Sequence, residues 1–281
     1  MTAGVIYLLT GPSHAARAVV SIWSLRKHFQ GPVTVFTTRP ESHQIGDLCA
    51  RDSRLNVAHV RVEEAKVRKN SAFLTKLDLL INPVYSTTVY LDADTLVVGP
   101  IDPLINVAQE DQFHATRFAN WVSSGKIMSK RISRWQSLPQ KRYDPAWMKE
   151  LVNEALIERP AVNGGVFATR QGAALLQPWR ELAYTGWKTF ICDEVALQLL
   201  LHRYPHRLLD CRFNCSPRHA GQVADTRIWH FHGEKHLAAG LAQSLWLPAF
   251  DECQKRNVAE IREWMPAGDD ALAKYLGERN N

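Results

Sequence analysis

Val89-Tyr-Leu-Asp92-Ala-Asp94-Thr-Leu-Val-Val98 is the stretch from which the rest of the chain is read. It opens on an apolar run, as a buried strand does, and the run ends in two carboxylates separated by one small residue. In an extended segment residues i and i+2 point the same way, so Asp92 and Asp94 are expected to face one hard divalent cation at a strand end. An isolated Asp-x-Asp is more often a solvated turn. The apolar strand immediately before it is what favours the metal.

The segments on either side alternate strand and helix. Upstream, the pattern predicts strands at Gly4 to Thr10, Val33 to Thr38 and Asn56 to Val62, and helices through Ala18 to Phe29, His43 to Arg51 and Ser71 to Ile81. Downstream it predicts strands at Ala161 to Thr169 and Arg227 to Phe231. The downstream helices are expected at Gln171 to Tyr184, Asp193 to Arg203 and Asp251 to Trp264. Such alternation implies an α/β fold with a mostly parallel, Rossmann-like sheet flanked by helices. Sheets of this kind bind ligands beyond the carboxyl ends of their strands, where Thr10-Gly11 and Asp92-Ala93-Asp94 fall.

The alternation breaks at Arg117 to Glu150, which reads as an insertion into a single catalytic domain spanning 1–265, with 266–281 as a C-terminal tail. Eight lysines and arginines stand there against Asp144 and Glu150, an excess that equals the +6 of the whole chain. Trp121, Trp135 and Trp147 lie among them, so the insertion is a candidate acceptor surface. Positive charge of this size suits anionic ligands generally, including phosphorylated sugars, nucleic acid and anionic membrane surfaces. At 46% apolar and 22% charged residues the composition excludes a disordered or coiled-coil chain.

No apolar run approaches the roughly 20 residues of a membrane span, and no basic segment opens the chain as in a signal peptide. A cytoplasmic protein, at most peripheral at a membrane surface, is expected. Cys49, Cys192, Cys211, Cys215 and Cys253 are scattered, without the second pair a zinc site needs, and read as free, mostly buried thiols.

A second cluster, Ile228-Trp-His230-Phe-His232-Gly233-Glu-Lys235-His236, ends a predicted strand. Imidazole beside two carboxylates suits manganese, Gly233 allows backbone close to a phosphate, and Lys235 offers it a cation. His230 and His232 would share one face of an extended strand, so a turn at Gly233 is needed to separate them.

Two rival enzyme classes begin from similar strands. Haloacid-dehalogenase-type phosphatases place one residue between their second aspartate and the following threonine, whereas Thr95 follows Asp94 directly. Sugar-nucleotide pyrophosphorylases use a glycine-rich basic loop after the first strand, and Gly11-Pro12-Ser13-His14 is a poor version.

Taken in order, the opening strand ending in Thr10, Ser24-Leu25-Arg26, Thr75-Lys76-Leu77, Tyr90-Leu-Asp-Ala-Asp-Thr95, Val162-Asn163-Gly-Gly-Val-Phe167, Asp193-Glu194, and His230-Phe231 with Gly233 and Lys235 form one constellation. It resembles the glycosyltransferase family that includes glycogenin and the bacterial lipopolysaccharide galactosyl- and glucosyltransferases. The resemblance implies a GT-A fold, a UDP-sugar donor, Mn²⁺ (or Mg²⁺), and transfer with retention to a glycan, lipid, protein or small-molecule acceptor that the sequence does not identify. It assigns Asp92, Asp94 and His230 to the metal. Thr10, Lys76, Asn163, Gly164, Asp193, Gly233 and Lys235 are assigned with Asp92 to the donor, and Asp193 and Glu194 become the candidate nucleophiles.

The chain differs from the family pattern at three places. His14 stands where a tyrosine often stacks on uracil, Glu194 replaces a glutamine, and Gly233 and Lys235 are one residue closer together. A sugar-nucleotide- or nucleic-acid-binding protein with the same fold but no transfer activity is the alternative. Nucleic-acid binding would weaken steeply with salt, whereas a metal-diphosphate site would fail with chelator.

Overall fold

A computed structural model describes residues 2–67, 71–110, 113–117, 150–151, 154, 162–186, 193–217, 223–231 and 240–264. The chain opens with β1 (Ala3–Leu9), α1 (Ala15–Arg26), β2 (Val33–Thr37), α2 (Pro40–Arg51), β3 (Ala58–Arg61), α3 (Ser71–Ile81) and β4 (Thr87–Leu91). A turn leads to β5 (Thr95–Val97), α4 (Asp102–Glu110) and β6 (Phe113–Arg117). Then come β7 (Val162–Arg170), α5 (Leu176–Thr185), α6 (Asp193–Leu200), β8 (Arg207–Leu209), β9 (Ile228–His230) and α7 (Gly240–Lys255).

The main sheet has the order β3-β2-β1-β4-β7-β6-β8. Its first four strands are parallel, β7 runs antiparallel to both β4 and β6, and β8 is parallel to β6. The mostly parallel reading therefore holds with one reversed strand inside the sheet. β5 and β9 form a separate antiparallel ribbon, with Thr95 opposite His230. Both edges of the main sheet are short: β3 has 4 residues and β8 has 3.

Period-two alternation divides the sheet's side chains between two cores. Val5, Tyr7 and Leu9 face a layer that includes α1, α2 and α7, while Ile6 faces α3, α5 and α6. β1, β2 and β4 are buried almost throughout, and Thr34, Thr37, Thr87 and Thr88 are buried along with their apolar neighbours. In α3, Leu74, Leu77 and Leu80 make the buried stripe expected from their spacing. Phe113, Phe167 and Trp179 form the aromatic centre of that layer, with Phe167 meeting Trp179 edge-on at 5.6 Å.

Ser24-Leu25-Arg26 has a structural role. Ser24 Oγ accepts from the Val97 amide at 2.9 Å, and Ser21 Oγ lies 2.7 Å from Thr95 Oγ1, so α1 holds the β5 ribbon in place. The Arg26 guanidinium donates to the carbonyls of Leu55, Phe29, Gly31 and Asn56, closing the base of the first βαβ unit.

Two boundaries differ from the sequence reading. α5 begins at Leu176, because Gly172 takes a left-handed turn at φ +75 before it. The C-terminal helix begins at Gly240, runs through Pro248 and ends at Lys255, and a separate 3-10 stretch, Val258–Trp264, follows. Proline ordinarily breaks a helix. Here Trp246, Leu247 and Phe250 bury on both sides of Pro248 and carry the helix across it.

Residues 118–149, 232–239 and 265–281 lie outside the described residues, and with them most of the basic insertion, the C-terminal tail, His232, Gly233, Lys235 and His236. Among the described residues no helix is long and apolar enough to cross a membrane. Cys49, Cys211, Cys215 and Cys253 are free thiols, all but Cys211 fully buried, and Cys192 lies outside the described residues.

Candidate active site

β4 ends at Leu91, and Asp92-Ala93-Asp94 forms a tight turn, not an extension of the strand. The Asp92 carbonyl accepts from both the Thr95 amide (3.2 Å) and Thr95 Oγ1 (2.9 Å). The two carboxylates thus converge through a turn, which corrects the expectation that strand alternation aligns them. The chain then reverses into β5, which pairs with β9 and brings His230 in from a distant part of the sequence. His230 Nε2 lies 3.3 Å from Asp94 Oδ1 and 3.6 Å from Asp92 Oδ2. One ligand atom from each of the three residues falls within 4.8 Å of the others.

The donor set fits a divalent cation of the manganese or magnesium type: two hard carboxylates and one imidazole on one small volume. Gly165 of β7 shows how tightly that volume is walled. A Cβ there would lie 2.3 Å from His230 Cε1 and 2.4 Å from Asp92 Oδ2. Asn163-Gly164-Gly165 therefore lies within a strand and makes room for the cluster; it is not a tight turn. At this point the pairing of β6 with β7 shifts, with Ala115 opposite Phe167 and Thr116 opposite Asn163. The Asp92 amide donates to the Gly165 carbonyl at 2.8 Å, and Tyr90 donates its hydroxyl to Asp92 Oδ1 at 2.9 Å.

Charge is concentrated here on one buried ring, His230, and two half-buried carboxylates, Asp92 and Asp94. Burial would raise the Asp94 carboxyl's pKa, but His230, with smaller help from His14 and Arg17, holds it well below the ordinary value. Burial would likewise lower the His230 imidazole's, yet Asp94 and then Asp92 keep it above the ordinary value. His14 itself is pushed down by burial, with Asp94 opposing. His14 and Arg17, at the start of α1, are thus electrostatic neighbours of the cluster.

Next to the carboxylates lies a second polar group. Lys76 is 3% exposed and pairs with Asp193, while its Nζ donates to the Gly164 carbonyl at 2.9 Å. Tyr90 lies under the ammonium at 4.9 Å from ring centroid to Nζ, with Trp179 at 5.9 Å. A lysine on an amphipathic helix is usually solvated, so the burial of Lys76 is the larger departure from its local sequence. Burial, together with the Asp92 charge, raises the Asp193 carboxyl's pKa against the opposing pull of Lys76. Asn163 Nδ2 donates to Glu194 Oε2 at 2.6 Å.

The profile of the Rhodobacterales glycosyltransferase domain family matches residues 5–200. The chain belongs to this family. The glycosyltransferase also resembles solved structures, at identities that speak for the fold alone. One is LgtC, a galactosyltransferase solved in complex with donor and acceptor sugar analogs, at TM-score 0.57 and 13% identity over 90% of this chain and 95% of that one. Another is the bifunctional glycosyltransferase WbbM, at 0.60 and 11%, over 91% of this chain and 51% of that one. GlyE of Streptococcus pneumoniae TIGR4 superposes at 0.58 and 12%, over 92% and 64%. No curated protein sequence matches. The expected GT-A-like α/β fold is thereby shown, and the family model makes the chain a glycosyltransferase.

Of the site residues named from the sequence, Asp92, Asp94, His230, Lys76, Asn163, Gly164, Asp193 and Glu194 fall in one region of this glycosyltransferase. Thr10 follows β1, whose neighbour in the sheet is β4. Gly233 and Lys235 lie outside the described residues. The sequence reading missed Arg17, which carries no motif, and Asn214, which contacts His230 Nδ1 at 2.9 Å from an irregular segment.

Proposed function

We propose that the protein transfers a hexosyl unit from a UDP-sugar to an acceptor, with retention of anomeric configuration and dependence on Mn²⁺ or Mg²⁺. The observation that carries this reading is the convergence of Asp92, Asp94 and His230 at the carboxyl end of a central strand, beside the Lys76, Asp193, Asn163 and Glu194 group. Asp92, Asp94 and His230 would hold the cation, which would supply positive charge to the departing diphosphate. Thr10 would contact the nucleotide, and Gly233 and Lys235 would close on the diphosphate.

Asp193 and Asn163 would hold sugar hydroxyls, with Lys76 keeping Asp193 in place from beneath. Glu194, whose Oε2 accepts from the Asn163 amide, would then be the carboxylate that faces the anomeric carbon, whether as a nucleophile or by supporting same-face attack. The one catalytic domain would extend over 1–265, the basic insertion would meet the acceptor, and the enzyme would work in the cytoplasm, at most peripherally at a membrane surface. LgtC with donor and acceptor analogs supports the substrate class by analogy of fold.

The test is a calorimetric screen of UDP, GDP and dTDP sugars with and without Mn²⁺, on the wild type and on Asp92→Asn/Asp94→Asn. UDP-sugar binding that needs the cation and vanishes in the double variant is expected. Undiminished binding and turnover in that variant with excess EDTA would overturn the metal assignment.

A further inference from the structure

Asn214 is wholly buried, and both ends of its side-chain amide are engaged. Its neighbours fix which end is oxygen. The Val166 carbonyl only accepts, so Thr116 donates its hydroxyl there, at 2.5 Å, and Thr116 Oγ1 is left to accept from Asn214 Nδ2, at 2.8 Å. Independently, the Gly165 amide only donates, so the atom of Asn163 that meets it at 2.9 Å is Oδ1. That same Oδ1 accepts from Asn214 Nδ2 at 3.2 Å. Both routes turn Asn214 Oδ1 toward His230 Nδ1, 2.9 Å away. An amide oxygen cannot donate, so Nδ1 keeps its proton in the charged and the neutral ring alike, and Nε2, which faces Asp92 and Asp94, is the nitrogen that gives up its proton to a metal ion.

We infer that Asn214 is a positioning residue of the metal centre, fixing His230 in the one tautomer and ring orientation that lets Nε2 act as a ligand, and tying it through Asn163 to Glu194. The inference rests on the metal reading given above. Histidine ligands commonly donate their second ring N–H to an acceptor of this kind, and losing that acceptor weakens metal binding by about 10- to 100-fold. Here the acceptor comes from the irregular segment beside β9, held by a hydroxyl and an amide that are themselves anchored on the backbone of β7.

Two variants separate the halves of the amide. Asn214→Leu removes acceptor and donor together, whereas Asn214→Asp keeps an acceptor for His230 Nδ1–H and loses the donor to Thr116 and Asn163. Mn²⁺ affinity, by electron paramagnetic resonance counting of free ion, and the ¹⁴N coupling of the bound imidazole, by pulsed resonance, are read on the purified proteins without any sugar. Asn214→Leu should lose about 10- to 100-fold in affinity together with the ¹⁴N coupling, and Asn214→Asp should keep the coupling. A packing role alone would lower the melting temperature of both without changing the coupling.

Wild-type affinity and coupling in Asn214→Leu would overturn the role of Asn214 and leave the metal reading standing. A wild type that binds no Mn²⁺ would overturn that reading and the inference with it. Should Asn214→Leu not fold, ¹⁵N-histidine spectra of the wild type with Zn²⁺ as a diamagnetic probe decide: Nε2 bound and Nδ1 protonated supports the inference, and Nδ1 bound overturns it.

Discussion

His230 and Asp94, 3.3 Å apart, each shift the other's proton affinity in the metal-free protein. Burial lowers and Asp94 raises the His230 pKa, for a net rise above 6.5. Its contribution to stability is therefore fully present below about 6.5, the value of the unfolded chain, and is lost as pH climbs through the raised folded value. The Asp94 pKa is depressed below 3.8, so its contribution is present above that value and disappears only as pH falls through the depressed one. In EDTA, the melting temperature of the wild type minus that of His230→Gln should accordingly be largest at mildly acidic pH and shrink through the alkaline range. Stabilisation by added Mn²⁺ should grow over the same range, because the ion must displace the proton on Nε2. A difference that stays flat from about pH 5.5 to 9 would refute the coupling.

Single residues were legible in the sequence where their chemistry is rare in context. Two carboxylates after an apolar strand and an imidazole before a glycine announce themselves. Asn214 does not, because an asparagine in an irregular segment has the look of an ordinary turn residue. Its role exists only once β6, β7 and β9 bring Thr116, Asn163 and His230 around it.

At the scale of elements, α3 was read from its leucine stripe with both boundaries as found, since the stripe is set by one buried face. What periodicity could not show is that Lys76 turns inward to Asp193 at the head of α6 and so locks α3 to β7 and α6. Lys76→Met should destabilise the protein by about 3–5 kcal/mol in urea unfolding, since Asp193 then lies buried without its cation. The loss should be smaller in acid, where the carboxyl, already pushed up by burial, takes a proton. Lys76→Met/Asp193→Leu should recover most of the stability but not donor binding. A single variant as stable as wild type would show the pair to be energetically idle.

Other elements escaped for identifiable reasons. β8 offers only Arg207-Leu208-Leu209, too short to show alternation, and β6 abuts the insertion. α7 starts at Gly240, ahead of the Asp251 expected from the sequence, and runs through Pro248 with Trp246 and Leu247 buried before it.

Across the whole molecule, the strand-helix alternation was enough to specify a mostly parallel sheet with Asp92 and Asp94 at the carboxyl end of one of its strands, but not the reversed β7 that walls the cluster with glycine. Reversal depends on which strands become neighbours, and no local pattern encodes that. The basic stretch from Arg117 to Glu150 is proposed to serve the acceptor. Shortening it should lower transfer to the acceptor more than hydrolysis of the donor, both read by mass spectrometry. Equal losses, or none, would count against that assignment.

The two short edges of the main sheet bear on solubility. An unpaired edge strand offers a row of free N–H and C=O groups on which another chain can assemble. Among the described residues, β3 ends that row after four residues with the exposed Arg61, and β8 after three with the exposed Arg207 at its start. Each edge is too brief and too charged to template a long intermolecular ladder, so the same seven-stranded sheet that carries Asp92 and Asp94 beyond the end of β4 gives an aggregating neighbour little to add to.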